Sequence, residues 1–160
     1  MEVARLLEAV GVPGRPVAER SLSGDSGTRV RVVEIDGEGL VVVKTIPEAC
    51  AETRHCRSAK DGSTRIHEEA AGLALIAATG TVSVPRVLGC GVHLGTGILV
   101  LEHLEVTTRG SGDDAAWVDF GRDLADLHLA TPPDCGDRFG LDHDNHLGST
   151  LQDNRPESKW

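Results

Sequence analysis

Three short segments in the first third of the chain are rich in β-branched and other apolar residues and are separated by polar breaks, a pattern typical of β-strands. The segments cover residues 17–22, 28–35 and 40–46 and are rich in valine. Glycine-containing breaks separate them, and the Asp36-Gly37 pair in the second break favours a tight hairpin turn. The pattern therefore predicts three consecutive antiparallel strands.

Apolar residues recur every three or four positions in other segments, as they do in amphipathic helices. This spacing predicts a short helix over residues 2–10 and two longer ones over residues 64–79 and 113–129. Residues 86–92 and 98–101 predict two further strands, joined through Gly91 to Gly97. An irregular surface loop is expected over residues 47–63, and residues 134–160 are polar, rich in turn-forming residues and without a sustained period.

Composition excludes several classes of function. The formal net charge is -9, so no basic surface is available for a nucleic-acid backbone. No apolar stretch approaches the roughly 20 residues that span a bilayer, and charged residues occupy the start of the chain, so we expect a cytoplasmic protein without a membrane partner. The four cysteines lack the spacing of a zinc site, which favours reduced thiols.

Lys44 is the first residue that suggests chemistry, because it ends an apolar strand, where an ammonium group is costly to bury without an anion. Its side chain either extends into solvent or meets a ligand. The turn upstream includes Gly24, Ser26 and Gly27, whose backbone N–H groups are candidates for contacts with phosphates. Downstream, either Glu68 or Glu69 of the predicted helix could pair with Lys44. This order of glycine turn, strand lysine and helix glutamate is typical of the small lobe of a kinase-like fold.

The last predicted strand of this region ends abruptly in polar residues, Glu102 and His103, before Leu104. In a two-lobed kinase this position is the hinge, where backbone groups hydrogen-bond the adenine ring. The alternative is an ordinary strand end.

Several blocks of sequence, in the same order, resemble the fructosamine (ketosamine 3-) kinase family. They cover nearly the whole chain: Lys44, residues 69–73, 79–89, 99–104, 124–128 and 139–145. The resemblance implies an α+β, protein-kinase-like fold. Residues 1–104 would form the small lobe, a five-stranded antiparallel sheet plus a helix, with the hinge at 102–104. Residues 105–160 would begin the large lobe with its first helix and a loop.

The resemblance also implies an activity and its participants. ATP, with Mg²⁺, would phosphorylate the 3-hydroxyl of a ketosamine carried by a small amine or a glycated protein. Lys44 would contact the phosphates with Glu69 as its partner, and Glu102, His103 and Leu104 would hold adenine. His143 and Asn145 would orient the sugar hydroxyls. Residues 142–146 are all capable of ligating a metal, but adjacent side chains of an extended segment point to opposite faces, so we assign no metal site to them.

The sequence departs from the family pattern because no His-Gly-Asp string occurs between Met1 and Trp160. We therefore expect a chain truncated before the catalytic loop, with weak nucleotide binding and negligible turnover. Two alternatives stay open: a non-catalytic, pseudokinase-like module that binds nucleotide or protein, and a fragment of an aminoglycoside- or choline-type phosphotransferase. Exposed apolar residues of the helix at 113–129, namely Trp117, Leu124 and Leu127, are expected to promote self-association.

Overall fold

The structure is a computed structural model that describes residues 2–22, 27–47, 62–105, 114–130, 141, 143–147 and 150–154. These residues form three helices and seven strands. The helices are α1 (Glu2–Ala9), α2 (Gly62–Thr79) and α3 (Asp114–Leu129). The strands are β1 (Pro16–Leu22), β2 (Arg29–Ile35), β3 (Gly39–Pro47), β4 (Val87–His93), β5 (Thr96–Glu102), β6 (Asn145–Leu147) and β7 (Thr150–Gln152). Most of the loop predicted over residues 47–63 lies outside the described residues.

Strands β1 to β5 form one antiparallel sheet in the order β1-β2-β3-β5-β4. The first three strands are the predicted meander. Helix α2 follows β3, and the chain then returns through β4 at the edge of the sheet to β5, which pairs with β3. The predicted α+β class and five-stranded antiparallel sheet are confirmed.

The two faces of the sheet are covered by different helices. On one face, Leu6 and Leu7 of α1 pack with Val33, Val43 and Val100 in a buried apolar cluster. On the other face, a smaller buried cluster joins α2 to the sheet through Ile46, Ile66 and Leu99. Because successive side chains of a strand point to opposite faces, β3 contributes to both clusters, and Lys44 lies on the α2 side with Ile46.

The connection predicted from Gly91 to Gly97 is wrong, because the paired strands extend further on both sides. Gly91 pairs with Ile98, and the turn contains only Leu94 and Gly95, both with positive φ (48° and 69°), as a two-residue hairpin turn of this kind requires. The glycines of β4 serve a close packing contact instead. A Cβ atom on Gly89 would lie 2.8 Å from Cγ2 of both Val10 and Val12.

A short hairpin, β6–β7, lies within the region that we predicted to be irregular. Each of its strands has three residues, which is too few for a two-residue period to be recognised in the sequence. Asn154 braces the start of the hairpin: its backbone N–H donates to Oδ1 of Asp144 at 3.1 Å, and its side-chain amide donates to Oδ1 of Asn145 at 2.7 Å. The hairpin places β6 beside α2.

Helix α3 agrees with the predicted segment within the described residues. Its apolar side chains are largely exposed: Trp117 is 73% exposed, and Phe120 packs edge-to-face against it with ring centroids 6.3 Å apart. Among the described residues, no helix has both the length and the apolarity that crossing a membrane requires.

Candidate functional site

Lys44 and Glu69 form an ion pair between the sheet and α2. The Nζ atom of Lys44 lies 2.5 Å from Oε2 of Glu69, and both side chains are about one quarter to one third exposed. Strand β3 turns Lys44 to the α2 side of the sheet, and the first turns of α2 place Glu69 above it. The pair therefore holds the ammonium group at the edge of an accessible space, and of the two candidate glutamates Glu69 is its partner.

Glu68 has a different partner, His146 of β6. The Nδ1 atom of His146 lies 2.7 Å from Oε2 of Glu68, and these side chains are only 6% and 11% exposed. An ionised carboxylate only accepts hydrogen bonds, so Nδ1 carries the donated hydrogen. Consecutive residues of α2 thus contact two separate parts of the structure.

A cavity of about 300 Å³ opens between the sheet, α2 and the β6–β7 hairpin. Charged and polar residues dominate its lining. They are Lys44, Arg65, Glu68, Glu69, Asn145 and His146, with Ile46 and Gly72. Arg65 brings a second cation to the cavity, one helical turn before Glu69. Two cations and two carboxylates line the cavity, so it offers both donors and acceptors to a polar ligand.

An apolar surface continues from Lys44 along the same face of the sheet. Val30 pairs with Lys44 across strands β2 and β3, and Val42 pairs with both Val32 and Leu101. Directly paired residues of an antiparallel sheet share a face, so these side chains lie on the Lys44 side. Val30, Val42 and Leu101 are only partly buried, whereas Val33, Val43 and Val100 on the α1 side are almost fully buried. The partly buried side chains form an apolar surface beside a cation.

The end of β5 is tied to the residues before β4. The backbone N–H of Glu102 donates to the carbonyl oxygen of Arg86 at 2.9 Å, and the Glu102 carboxylate accepts from Nε of Arg86 at 3.2 Å. The side-chain hydrogen bond and the backbone hydrogen bond from Arg86 hold the pKa of Glu102 below its usual range. The Glu102 N–H already has a partner, so the predicted hinge donors that remain are the backbone N–H groups of His103 and Leu104. The carbonyl groups of residues 102–104 stay the predicted acceptors.

Of the remaining predicted site residues that the structure describes, only Asn145 is brought to the cavity. Gly24 and Ser26 lie outside the described residues. Gly27, two residues before β2, has a positive φ of 88°, a conformation that favours glycine. Asn145 lines the cavity, whereas His143 is exposed and does not line it. Within the described ranges, no three His, Cys, Asp or Glu side chains gather closely enough to hold a metal ion.

Cys90 lies behind the ion pair, on β4, where its Sγ faces the carbonyl oxygen of Ile66 at 3.9 Å. Burial raises the pKa of this thiol, and the nearby Glu69 carboxylate raises it further. The thiol is therefore held in its protonated, less nucleophilic form.

The sequence interpretation missed three features of this site. Arg65 had no motif around it, and the contact of Glu68 with His146 depends on a hairpin that was not predicted. The apolar surface of Val30, Val42 and Leu101 had a usable signal, because residues two apart along a strand share a face, so Val42 had to lie beside Lys44.

Comparison with known proteins supports a single family. The family model described as fructosamine kinase matches residues 56–160, more than half of the chain. A "probable ketoamine kinase" from Synechocystis is 40% identical over 92 residues, which are 58% of this chain and 29% of that protein. A "probable ketoamine kinase" from Vibrio parahaemolyticus is 37% identical over 94 residues, 58% of this chain and 30% of that protein.

Solved structures extend the similarity to almost the entire chain. A protein assigned as a fructosamine-3-kinase from Haemophilus somnus superposes with a TM-score of 0.72 at 28% identity, covering 97% of this chain and 46% of the other. One from Thermobifida fusca, at 24% identity and a TM-score of 0.67, supports the fold. This chain therefore spans just under half the length of these structures and under a third of the curated relatives' length. The matched family model, the curated relatives and the shared fold show that the chain belongs to the fructosamine kinase family.

Proposed function

We propose that this chain provides the ATP site and part of the acceptor site of a kinase that phosphorylates the 3-hydroxyl of a ketosamine. In this proposal residues 1–104 are the small lobe and residues 105–160 begin the large lobe. The acceptor is a ketosamine on a small amine or on a glycated protein. Membership of the family supports a kinase of ketosamines in general, and the geometry of the site supports the finer assignments.

The Lys44–Glu69 pair carries this proposal. A lysine that is fixed by a helix carboxylate can reach the α- and β-phosphates of a nucleotide without moving, so little ordering is required when the ligand binds. The apolar surface of Val30, Val42 and Leu101 lies beside it, where it suits the face of a purine. The N–H groups of His103 and Leu104 are the proposed donors to the edge of adenine, and those of Gly24, Ser26 and Gly27 the proposed contacts to phosphate.

The acceptor side of the proposal involves the β6–β7 hairpin. Asn145 lines the cavity that also contains Lys44, so a sugar hydroxyl bound there would lie on the phosphate side of the nucleotide. His143, which is exposed in the described structure, is the second proposed contact to the sugar. Arg65 suits a negatively charged group of either substrate.

No residue of this chain is assigned as the catalytic base or as a ligand of Mg²⁺. The sequence contains no His-Gly-Asp string, and the described residues contain no cluster of metal-ligating side chains. Mg²⁺ would enter with ATP and neutralise phosphate charge, as it does in phosphoryl transfer generally. The direct test on this chain is therefore binding of MgATP. Binding without transfer is also what the pseudokinase-like alternative predicts for this chain.

Thermal unfolding with and without MgATP tests the nucleotide site. A ligand present at 100 times its dissociation constant stabilises the folded state by about 2.7 kcal/mol, which raises the melting temperature. We expect Lys44→Ala to abolish most of this rise. Arg15→Ala is the matched control, since Arg15 also forms an ion pair, with Asp36 at 3.0 Å, but in solvent and away from the cavity. An undiminished rise in Lys44→Ala would contradict the assignment.

Titration of the MgATP-bound chain with two acceptors separates the ketosamine hypothesis from that of an aminoglycoside-type phosphotransferase. A fructosyl amine is expected to bind, and Asn145→Ala is expected to weaken its binding. Tighter binding of an aminoglycoside than of the fructosyl amine would favour the alternative.

A further inference from the structure

Helix α2 is held on two sides by neighbouring carboxylates. Glu69 contacts Lys44 of the sheet, whereas Glu68 contacts His146 of the hairpin. Consecutive residues of an α-helix are rotated by about 100° around its axis, since one turn takes 3.6 residues. The two contacts therefore fix the rotation of α2 from two directions.

The contact between Glu68 and His146 is the more buried of the two. Its side chains are 6% and 11% exposed, against 24% and 34% for Lys44 and Glu69. A carboxylate in so protected a position is costly to leave without a partner. Rotation of α2 away from the hairpin would leave the Glu68 carboxylate without its partner. The contact with His146 therefore opposes this rotation.

The hairpin is internally braced. Asn154 donates hydrogen bonds to Asp144 and Asn145, the two residues before His146, and β6 pairs with β7. His146 therefore projects from an ordered strand and offers Glu68 a partner at a defined position.

We infer that His146 is a positioning residue, which holds α2 through Glu68 so that Glu69 stays against Lys44. This inference rests on the proposed function of Lys44 in binding phosphate. His146 acts through Glu68 and is not assigned a contact with the nucleotide. The hairpin lies after the proposed hinge in the sequence. Through Glu68 and α2 it would nevertheless affect the position of Lys44 in the proposed small lobe.

Two measurements on the intact chain test this proposal. Hydrogen exchange of the α2 amides, without nucleotide, reports how firmly the helix is held. Titration with MgATP reports the affinity of the site. We expect His146→Ala to speed exchange over residues 66–72 several-fold and to weaken MgATP binding about tenfold.

His146→Asn is the restoring variant, because the asparagine amide nitrogen lies near the position of Nδ1 and can donate to Glu68. We expect it to recover most of both losses. Gln152→Ala is the matched control, since Gln152 is exposed on β7 of the same hairpin. It should change neither the exchange of α2 nor the affinity.

Three results would overturn the inference. The first is unchanged exchange of α2 in His146→Ala. The second is faster exchange with unchanged MgATP affinity, which would mean that the contact stabilises the helix without positioning Lys44. The third is a failure of His146→Asn to recover the affinity. If the unmodified chain does not bind MgATP at all, the proposed function fails instead, and exchange in His146→Ala still decides whether His146 holds α2.

Discussion

The Nζ atom of Lys44 and a carboxylate oxygen of Glu69 lie 2.5 Å apart, although the two residues are 25 positions apart in the sequence. One belongs to the central part of the sheet and the other to the helix that covers it. Packing of Ile66 against Ile46 and Leu99 brings the two elements together, so the ion pair depends on an apolar contact beside it.

Replacement of Glu69 by glutamine is expected to weaken MgATP binding about tenfold, which corresponds to about 1.4 kcal/mol. The neutral amide attracts the ammonium group less strongly, so Lys44 becomes less ordered. Glu34→Gln is the matched control, because Glu34 is exposed on β2. Calorimetric titration measures the change, and equal affinities in the two variants would contradict the role of Glu69.

Gly89→Ala is expected to destabilise the chain by about 1–3 kcal/mol, because the added Cβ would overlap Val10 and Val12 and lie 2.9 Å from the carbonyl oxygen of Val10.

Gly121→Ala is expected to have the opposite effect on stability. Nothing lies within 4 Å of a Cβ at this position in α3, so alanine should stabilise the helix by about 0.5–1 kcal/mol. Urea denaturation measures both changes, and a neutral Gly89→Ala would show that the segment with Val10 and Val12 can shift freely.

The thiol of Cys90 is expected to react with iodoacetamide at pH 8 more slowly than the cysteine of a short peptide. Burial, and then the Glu69 carboxylate, raise the pKa of Cys90, so less thiolate is present. Glu69→Gln should speed the reaction by removing the second cause. Mass spectrometry of the modified peptides gives the rates, and modification of Cys90 at the peptide's rate would contradict this prediction.

The raised pKa of Cys90 also makes the stability of the folded chain depend on pH. Because the pKa of Cys90 is raised in the folded state, the stabilisation linked to the protonated thiol is complete below the unfolded pKa, near 8.5. It is lost as the pH rises from there through the folded pKa. Cys90→Ala should therefore show a smaller loss of stability in alkaline solution than the unmodified chain.

Self-association through α3 is expected at high protein concentration. Trp117, Phe120 and Leu124 are 73%, 48% and 38% exposed, and their spacing of three and four residues places them on one face of the helix. Trp117→Gln should reduce the mean mass measured by light scattering. Val92→Thr, which changes an exposed apolar residue of β4, is the control. A monodisperse monomer at high concentration would contradict this prediction.

The sequence was sufficient for the parts of this fold that follow from local periodicity. Runs of β-branched residues between glycine breaks predicted the three strands of the meander. They also suggested that Lys44 ends an apolar strand, whereas β3 continues beyond Lys44 to Pro47. The prediction failed at Gly91, because a glycine that admits a neighbouring side chain looks the same in sequence as a glycine that makes a turn. Only the packing of Val10 against Gly91 distinguishes the two.

The candidate site was less predictable because it depends on tertiary contacts. Glu68 and Glu69 are chemically equivalent in the sequence, and the rotation of α2 decides which of them meets Lys44. His146 was one polar residue among several, and its burial against Glu68 requires a hairpin whose strands are too short to show a period. The set of possible hinge donors also became smaller only with the structure, which shows that the N–H of Glu102 already donates to the carbonyl oxygen of Arg86.

Paired carboxylates on adjacent helical positions have a mechanical consequence. Many kinases are regulated by movement of the corresponding helix, which brings its glutamate to the lysine or withdraws it. In this chain, a roll of the helix that withdrew Glu69 would also pull Glu68 out of its protected contact. Such a roll would have to break both contacts at once, so we expect the two carboxylates to leave their partners together.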